Sequence, residues 1–300
     1  MNPKSDEPGR ARGGGKVARL SDAVLRYVRD GAVVGVGGQN IGRCAVALAH
    51  EIVRQGRRGL TLVGCNLSLH ADLLIAAGAV DRCECGTGNL ESYGVCHAFR
   101  RGVESGTLVV DDYDHASMLA RFVAGGTGLP FMPVRHLAGT SLNSGTSRVV
   151  PKTAAVANPW RPEERVTLVP ALRPDVALLH AQEADLDGNV VLRGPASHDP
   201  ELARAARATI VTVERLLPRG AIDADTPGVV ITHHFVSAVV LRPYGAWPTG
   251  VFGEYPHDDA HVREYQTAAR EGGGRLEDYL RRYVLDPADF DGFLSDARPR

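Results

Sequence analysis

The chain has 300 residues, of which 44% are hydrophobic and 23% are charged, both ordinary values for a globular protein. These values exclude a disordered, collagen-like or coiled-coil chain, and the length is sufficient for a large core without disulfide or metal staples. Lys and Arg total 34 and Asp and Glu total 35, so the net charge of -1 provides no broad positive field for nucleic acid.

The ends and the cysteines of the chain predict its compartment. No apolar run approaches the roughly 18 residues that cross a bilayer. Residues 1–16 are rich in Gly, Arg and Pro, which predicts a disordered tail rather than a secretory signal. Five cysteines without CxxC spacing are typical of reduced thiols in the cytosol. We therefore expect a cytoplasmic protein without membrane contact, with residues 17–300 as a single domain.

Apolar periodicity and glycine positions predict that strands and helices alternate in the first half of the chain. The predicted strands are 33–36, 60–63, 80–85 and 108–110. The predicted helices are one capped by Ser21, one at 43–55, one through 73–75, one at 91–104 and one at 114–124. Such alternation with short connections predicts an α/β fold: an open, mostly parallel sheet with helices on both faces.

The second half begins with a break in this rhythm at residues 139–165, which contain three prolines and little periodicity. We interpret this stretch as a long functional loop or a crossover between sub-sheets. Beyond it, Asp187-Gly188-Asn189 predicts the turn of a hairpin between two strands. The further strands are predicted at 166–169, 176–180, 190–192, 210–213, 229–232 and 238–241, and the helices at 201–208, 260–270, 276–284 and 289–295.

A glycine-rich turn at residues 35–43, between a strand and a helix, is the first candidate site. The amides of Gly37 and Gly38 are expected to face a phosphate or a developing oxyanion. The alternative is a tight turn that binds nothing. The GxGxxG spacing fails at Asn40, and the next strand ends in 64–66 without an acidic residue, so a nicotinamide dinucleotide site is not predicted.

Polar residues at the ends of the next two strands are candidates by position. Asn66, Ser68 and Asn89 lie where ligands bind in open α/β sheets, although Ser68 is equally suited to cap a helix. Cys65 is expected to be a small buried residue rather than a nucleophile. Glu91 has the chemistry of a base or nucleophile, but a helix start is favoured because a carboxylate suits the helix dipole.

A metal site is not predicted, although Cys83, Cys85, Cys96 and His97 lie close in sequence. A Cys-x-Cys pair on a strand directs both thiols to one face, and the adjacent pair 96–97 does not supply tetrahedral spacing. The side chains of the pair at 233–234 are expected on opposite faces of a strand. No tightly bound cofactor is expected.

The joint order of several motifs resembles the A (alpha) subunit of family I CoA-transferases, most closely the glutaconate CoA-transferase type. The resemblance extends from about residue 17 to residue 296. It rests on Gly37-Gly38 with Arg43, 60–63 and the loop after it, Asp112-Tyr113, 128–133, Asn158-Pro159-Trp160 with Arg161-Pro162, Pro174-Asp175-Val176, His180-Ala181-Gln182, Asp187-Gly188-Asn189, 210–214 and Pro243-Tyr244-Gly245-Ala246.

This resemblance implies a CoA-transferase or sugar-phosphate-isomerase-like fold in which A and B subunits face each other across the active site. It also implies ping-pong transfer of coenzyme A, as a substrate, between an acyl-CoA and a carboxylic acid. In the family the nucleophilic glutamate belongs to the B subunit. The corresponding strand end here is Gly64-Cys65-Asn66, which has no carboxylate. No catalytic nucleophile is therefore expected in this chain.

The part implied for this chain is the wall that binds the acyl group. Amides near Gly37 and Gly38 are expected to polarise the thioester, and Arg43 to hold a second carboxylate or, alternatively, to start a helix or pair across the interface. A related acyl-CoA hydrolase or decarboxylase is the second hypothesis, and a non-catalytic small-molecule-binding module the third. The expected acyl-binding residues are Gly37, Gly38, Gln39, Asn40, Arg43, Asn66, Ser68 and Asn89.

Overall fold

A computed structural model describes residues 15–145 and 147–298. The helices are α1 (Leu20–Tyr27), α2 (Val46–Arg54), α3 (Leu69–Ala76), α4 (His97–Ser105), α5 (His115–Thr127), α6 (Asp199–Ala205), α7 (Asp259–Glu271), α8 (Gly273–Leu280) and α9 (Phe290–Ala297). The strands are β1 (Val33–Val36), β2 (Leu60–Leu67), β3 (Val80–Gly88), β4 (Val109–Asp112), β5 (Phe131–Val134), β6 (Ala154–Asn158), β7 (Arg161–Pro170), β8 (Val176–Asp185), β9 (Val190–Leu192), β10 (Ala208–Leu217), β11 (Val229–Ile231) and β12 (Ala238–Leu241).

Most of the strands form one sheet, and most of its pairs are parallel. The parallel part runs in the order β12-β10-β8-β1-β2-β3-β4. The far end of β8 also pairs antiparallel with β9, and β9 pairs antiparallel with β11. The hairpin predicted at Asp187-Gly188-Asn189 is the β8–β9 connection. The predicted mostly parallel α/β fold is confirmed, and the parallel order brings the carboxyl ends of β1, β2 and β3 side by side.

Both faces of this sheet are covered, because apolar side chains on its strands point in both directions. On one face, Val36, Leu62 and Leu178 join a core that includes residues of α1, α2, α3 and α7–α9. On the other face, Val63 and Leu179 join residues of α5 and α6. Helices therefore lie on both faces, as the β–α alternation predicts.

The prediction that residues 139–165 form a long loop is partly wrong. Strands β5, β7 and β6 form a separate antiparallel sheet, in which β6 and β7 are joined at 158–161. Strand β6 is mostly exposed, and Trp160 at the connection is 88% exposed. A strand that buries neither face lacks the inside–outside alternation by which strands are found in a sequence.

Several predicted boundaries also change. Strands β2 and β3 continue to Leu67 and Gly88, α2 begins at Val46, and α4 begins at His97 rather than at residue 91. The pair at 233–234 lies in a short 3₁₀ turn with its rings 4.0 Å apart, not on opposite faces of a strand.

The predicted tail lies mainly outside the described residues, since 1–14 are not among them. Lys16 belongs to the fold: its ammonium group donates to the His233 carbonyl, and its own carbonyl accepts from the Val239 amide. Among the described residues, no helix has the length and apolar character of a membrane span, and no three His, Cys, Asp or Glu side chains gather as a metal site.

Candidate active site

A cleft of about 740 Å³ opens at the carboxyl end of β1. Its walls are the turn at 39–43, residues 91–92 after β3, Pro195 after β9, and the segment 250–257. Clefts outside the carboxyl ends of parallel strands are where α/β sheets bind ligands. The cleft therefore lies where the sequence motifs predict a site.

Backbone strain is concentrated around this cleft. Five residues other than glycine have positive φ in the described part of the chain, and three of them line the cleft: Asn40 (53°), Arg43 (54°) and Glu91 (57°). Side chains with a Cβ rarely adopt this region, and such residues gather at functional sites. The strain is thus a second, independent indication that the cleft is functional.

The expectation that the amides of Gly37 and Gly38 face a substrate is corrected. The Gly37 amide donates to the Leu178 carbonyl at 3.1 Å, and the Gly38 amide donates to Asp199 Oδ1 at 2.8 Å. Each amide already has an acceptor, so neither is a free oxyanion donor here. Gly38 has φ 89°, and a Cβ there would lie 2.8 Å from the Arg43 carbonyl oxygen. The glycines serve close packing of the turn.

The predicted role of Arg43 as a ligand for a substrate carboxylate is also corrected. Arg43 is only 3% exposed, and its Nη1 lies 2.6 Å from Asp199 Oδ2 in a buried ion pair. Nη1 also donates to the His180 carbonyl, and Nη2 donates to the Pro195 carbonyl at 2.6 Å. These bonds occupy three of the five guanidinium N–H groups and hold the side chain against Asp199, and the residue lies outside α2. Arg43 forms the floor of the cleft and ties the turn to α6.

A row of hydrogen-bonded polar side chains crosses the ends of the strands beside the cleft. Asn66 Nδ2 donates to Asn40 Oδ1, and the Thr87 hydroxyl donates to Asn66 Oδ1 at 2.7 Å. His115 Nε2 lies 3.1 Å from the Thr87 oxygen. Because the Thr87 hydrogen goes to Asn66, the imidazole is the donor in this last bond. We call Asn40, Asn66, Thr87 and His115 the open row.

The open row joins two predicted residues with two that sequence reasoning missed. Thr87 and His115 come from the end of β3 and the start of α5. The signal for Thr87 was present, since it lies two residues before the predicted Asn89 at the same strand end. Asn40 uses its oxygen for Asn66, and its NH₂ group has no partner in the described part of the chain. It therefore offers two donor hydrogens at the edge of the cleft.

The remaining predicted acyl-binding residues do not belong to the open row. Gln39 is exposed and lines the cleft. Ser68 is buried at the start of α3, where it makes no capping hydrogen bond and does not line the cleft. Asn89 accepts from the Glu91 amide at 3.2 Å and so shapes the rim.

Glu91 does not start a helix, contrary to the sequence-based preference. It begins a three-residue 3₁₀ turn, and α4 begins six residues later. Its side chain lines the cleft and, within 15–145 and 147–298, makes no ion pair or side-chain hydrogen bond. An exposed, unpaired carboxylate therefore lies at the rim.

On the far side of β1, polar and ionisable side chains form what we call the closed network: His180, Thr212, Glu214 and Tyr255. The His180 ring nitrogens lie 2.9 Å from the Thr212 hydroxyl and 2.7 Å from Glu214 Oε1. The Tyr255 hydroxyl donates to the same carboxylate oxygen at 2.7 Å. Burial opposes ionisation of Glu214, but its hydrogen bonds, first of all the one with His180, hold its pKa below the usual value. This network fixes the wall at 250–257.

Cys65 matches its expected role. It is buried at the end of β2, and burial raises the pKa of its thiol to about 12. A neutral thiol is a poor nucleophile, because the thiolate is the reactive form.

The chain is similar to known CoA-transferase subunits over nearly its whole length. It is 34% identical to the A subunit of glutaconate CoA-transferase from Acidaminococcus fermentans over 292 residues, covering 93% of this chain and 91% of that one. It is 34% identical over 277 residues to the A subunit of 3-oxoadipate CoA-transferase from Pseudomonas knackmussii, covering 91% and 95%. It spans 61% of the length of an uncharacterized Archaeoglobus fulgidus protein, at 36% identity.

Comparison with solved structures gives the same relationship as comparison of sequences. The fold matches glutaconate coenzyme A-transferase from Acidaminococcus fermentans with a TM-score of 0.89 at 32% identity, covering 94% of this chain and 93% of that chain. It matches the decarboxylase AibA/AibB with a TM-score of 0.76 at 33% identity, covering 88% and 96%. The family model described as coenzyme A transferase matches residues 17–241. The resemblance found in the sequence is confirmed: this chain belongs to the coenzyme A transferase family.

Proposed function

We propose that this chain is the A subunit of a heteromeric CoA-transferase that moves CoA from an acyl-CoA to a carboxylic acid. The nucleophilic glutamate comes from a B subunit. Two observations support a partner. The matched relatives are themselves named as A subunits, and the end of β2 carries a neutral Cys65 thiol where a carboxylate would be needed.

In the proposed reaction the partner's glutamate oxygen attacks the thioester carbonyl carbon. The C–S bond breaks, CoA leaves as a thiolate, and a mixed anhydride forms. The thiolate then attacks the glutamyl carbonyl and releases the first acid, which leaves CoA on the glutamate as a thioester. The second acid takes the CoA by the same two steps in reverse.

The open row supports the share proposed for this chain. Asn66 and Thr87 hold the Asn40 amide before any substrate arrives, and its two N–H groups remain for an acyl oxygen. Donors held in place in advance stabilise charge on a thioester oxygen without reorganisation. The unpaired NH₂ of Asn40, at the edge of the cleft, is the observation that carries the proposal.

Co-expression with the B subunit tests the division of labour. After acyl-CoA is added, intact mass spectrometry is expected to show a CoA adduct on the partner and none on this chain. The isolated chain is expected to show no turnover. Turnover by the isolated chain, or an adduct on it, would contradict the proposal.

Two substitutions test Asn40 in the A–B complex. Asn40→Asp removes the donors and adds a charge that repels a carboxylate, so kcat/KM is expected to fall about 100-fold. Asn40→Gly keeps the left-handed backbone but loses the side chain, and a fall of about tenfold is expected. Wild-type kinetics in both variants would remove Asn40 from acyl binding.

The AibA/AibB match keeps a decarboxylase as the second candidate. Analysis of the products of the A–B complex distinguishes these reactions. Transfer yields a new acyl-CoA in an amount equal to the acid consumed, whereas decarboxylation releases CO₂ and hydrolysis releases free CoA.

A further inference from the structure

We propose that the cleft selects an acid without a second carboxylate, and that Glu91 is the residue that sets this preference. The inference rests on the proposed function and narrows it to a substrate class. It follows from the charges of the side chains that line the cleft.

Two of the three charged side chains in the cleft are neutralised by ion pairs. Arg43 is paired with Asp199 on the floor. Glu254 is held by Arg215, whose Nη1 lies 2.5 Å from its Oε2. Glu91 has no such partner among the described residues, and the other titratable side chains of the lining are Tyr255 and His257. Among the lining residues that the structure describes, the charge is therefore net negative, and there is no guanidinium or ammonium group without an ion-pair partner.

Hydrogen bonds hold the backbone of Glu91 at the rim of the cleft. The Glu91 amide donates to Asn89 Oδ1, and the Glu91 carbonyl accepts from the Gly94 amide at 2.9 Å. Closing the turn, the Leu90 amide donates to the Gly94 carbonyl at 2.7 Å. The Glu91 carboxylate is therefore carried at the rim, where it repels a like charge that enters the cleft beside it.

The substrate carboxyl that becomes activated binds at the Asn40 end, so the rest of the acyl chain extends along the cleft towards its rim. A neutral chain meets Ile41, Phe252 and Pro256 without electrostatic cost. A second carboxylate on that chain meets Glu91. The names of the two CoA-transferase relatives contain the dicarboxylates glutaconate and 3-oxoadipate. The proposal therefore separates the acid preference of this cleft from the acids in those names.

The experiment compares pentanoate with glutarate, which have five carbons and differ in one carboxylate, as acceptors for the A–B complex at pH 8. Wild type is expected to favour pentanoate in kcat/KM. Glu91→Gln is expected to raise the glutarate-to-pentanoate ratio about fivefold, mainly through KM, and Glu91→Lys by more than about tenfold. Glu163→Gln removes an exposed carboxylate on β7, away from the cleft, and is the control expected to leave the ratio unchanged.

Three results would overturn the inference. The first is a wild-type preference for glutarate, and the second is an unchanged ratio in both Glu91 variants. The third is loss of turnover with both acids in both variants, which would make Glu91 a catalytic group. If no acid is turned over by any complex, the proposed function fails instead, and the ratio of the two acids' binding constants from calorimetry still decides the inference.

Discussion

The two sides of β1 use polar side chains in opposite ways. Towards β2 and β3, the open row consists of amides, a hydroxyl and an exposed imidazole, and it leaves the Asn40 donors unpaired. Towards β8 and β10, the closed network buries ionisable groups and satisfies them within the protein. One side is available to a ligand, whereas the other holds the wall that the ligand meets. Burial decides which polar residues have structural roles and which can bind.

The largest expected effect is that of Arg43→Ala, on the closed side. It leaves Asp199 buried without its ion partner, so the free energy of unfolding should fall by about 4 kcal/mol. Urea denaturation of the A–B complex and of the isolated chain measures it. A stable variant with selectively poorer use of a dicarboxylate would restore Arg43 as a binding residue.

Acidification should destabilise the chain through its buried histidines. Burial lowers the pKa of His70 and of His261 to about 4. In the unfolded chain a histidine titrates near 6.5, so between pH 6.5 and 4 the unfolded state binds more protons than the folded state. The free energy of unfolding therefore decreases as the pH is lowered through this range. At pH 4 each histidine lowers the free energy of unfolding by about 3 kcal/mol relative to neutral pH. Urea midpoints across this range should show a shallower slope for His70→Leu; an unchanged slope would contradict the assignment.

Glu214→Gln tests the closed network with a side chain of similar shape. The amide has one acceptor oxygen, so it cannot serve both the Tyr255 hydroxyl and the Tyr244 amide, which donates to Glu214 Oε2. A loss of about 2 kcal/mol is expected in urea denaturation. Because the pKa of Glu214 is lowered, its contribution is present above the unfolded pKa and is lost as pH falls through the folded one. A loss as large at pH 3 as at pH 7 would contradict the role of its charge.

Thr87→Val should give the smallest effect, on the open side. It removes the donor to Asn66 and the acceptor for His115 at nearly constant volume, so Asn40 loses its support. About a tenfold fall in kcat/KM is expected, equivalent to about 1.4 kcal/mol, with little change in stability. Thr87→Ser keeps the hydroxyl and is the matched control. Equal activity of the two variants would show that the row does not position Asn40.

Much of the fold could be predicted because its signals are local. Gly56 and Gly78 mark helix ends with positive φ, and Asp187-Gly188-Asn189 closes a hairpin. Strand β6 could not be predicted, because its exposed residues show no alternation. Of the site, the position of the turn and the polar strand ends was predictable from the β–α order, and Asn40 and Asn66 do meet.

What the sequence by itself determined is the order of strands and helices, the family, and the edge of the sheet at which polar residues gather. Only the tertiary structure decided which of those residues are free. Arg43 looks like a ligand for an anion until Asp199, 156 positions later, is placed against it. Glu91 looks like a helix start until its turn is seen at the rim of the cleft. The reason is physical: residue type sets the chemistry of a side chain, but burial and partners distant in sequence decide whether that chemistry is already satisfied.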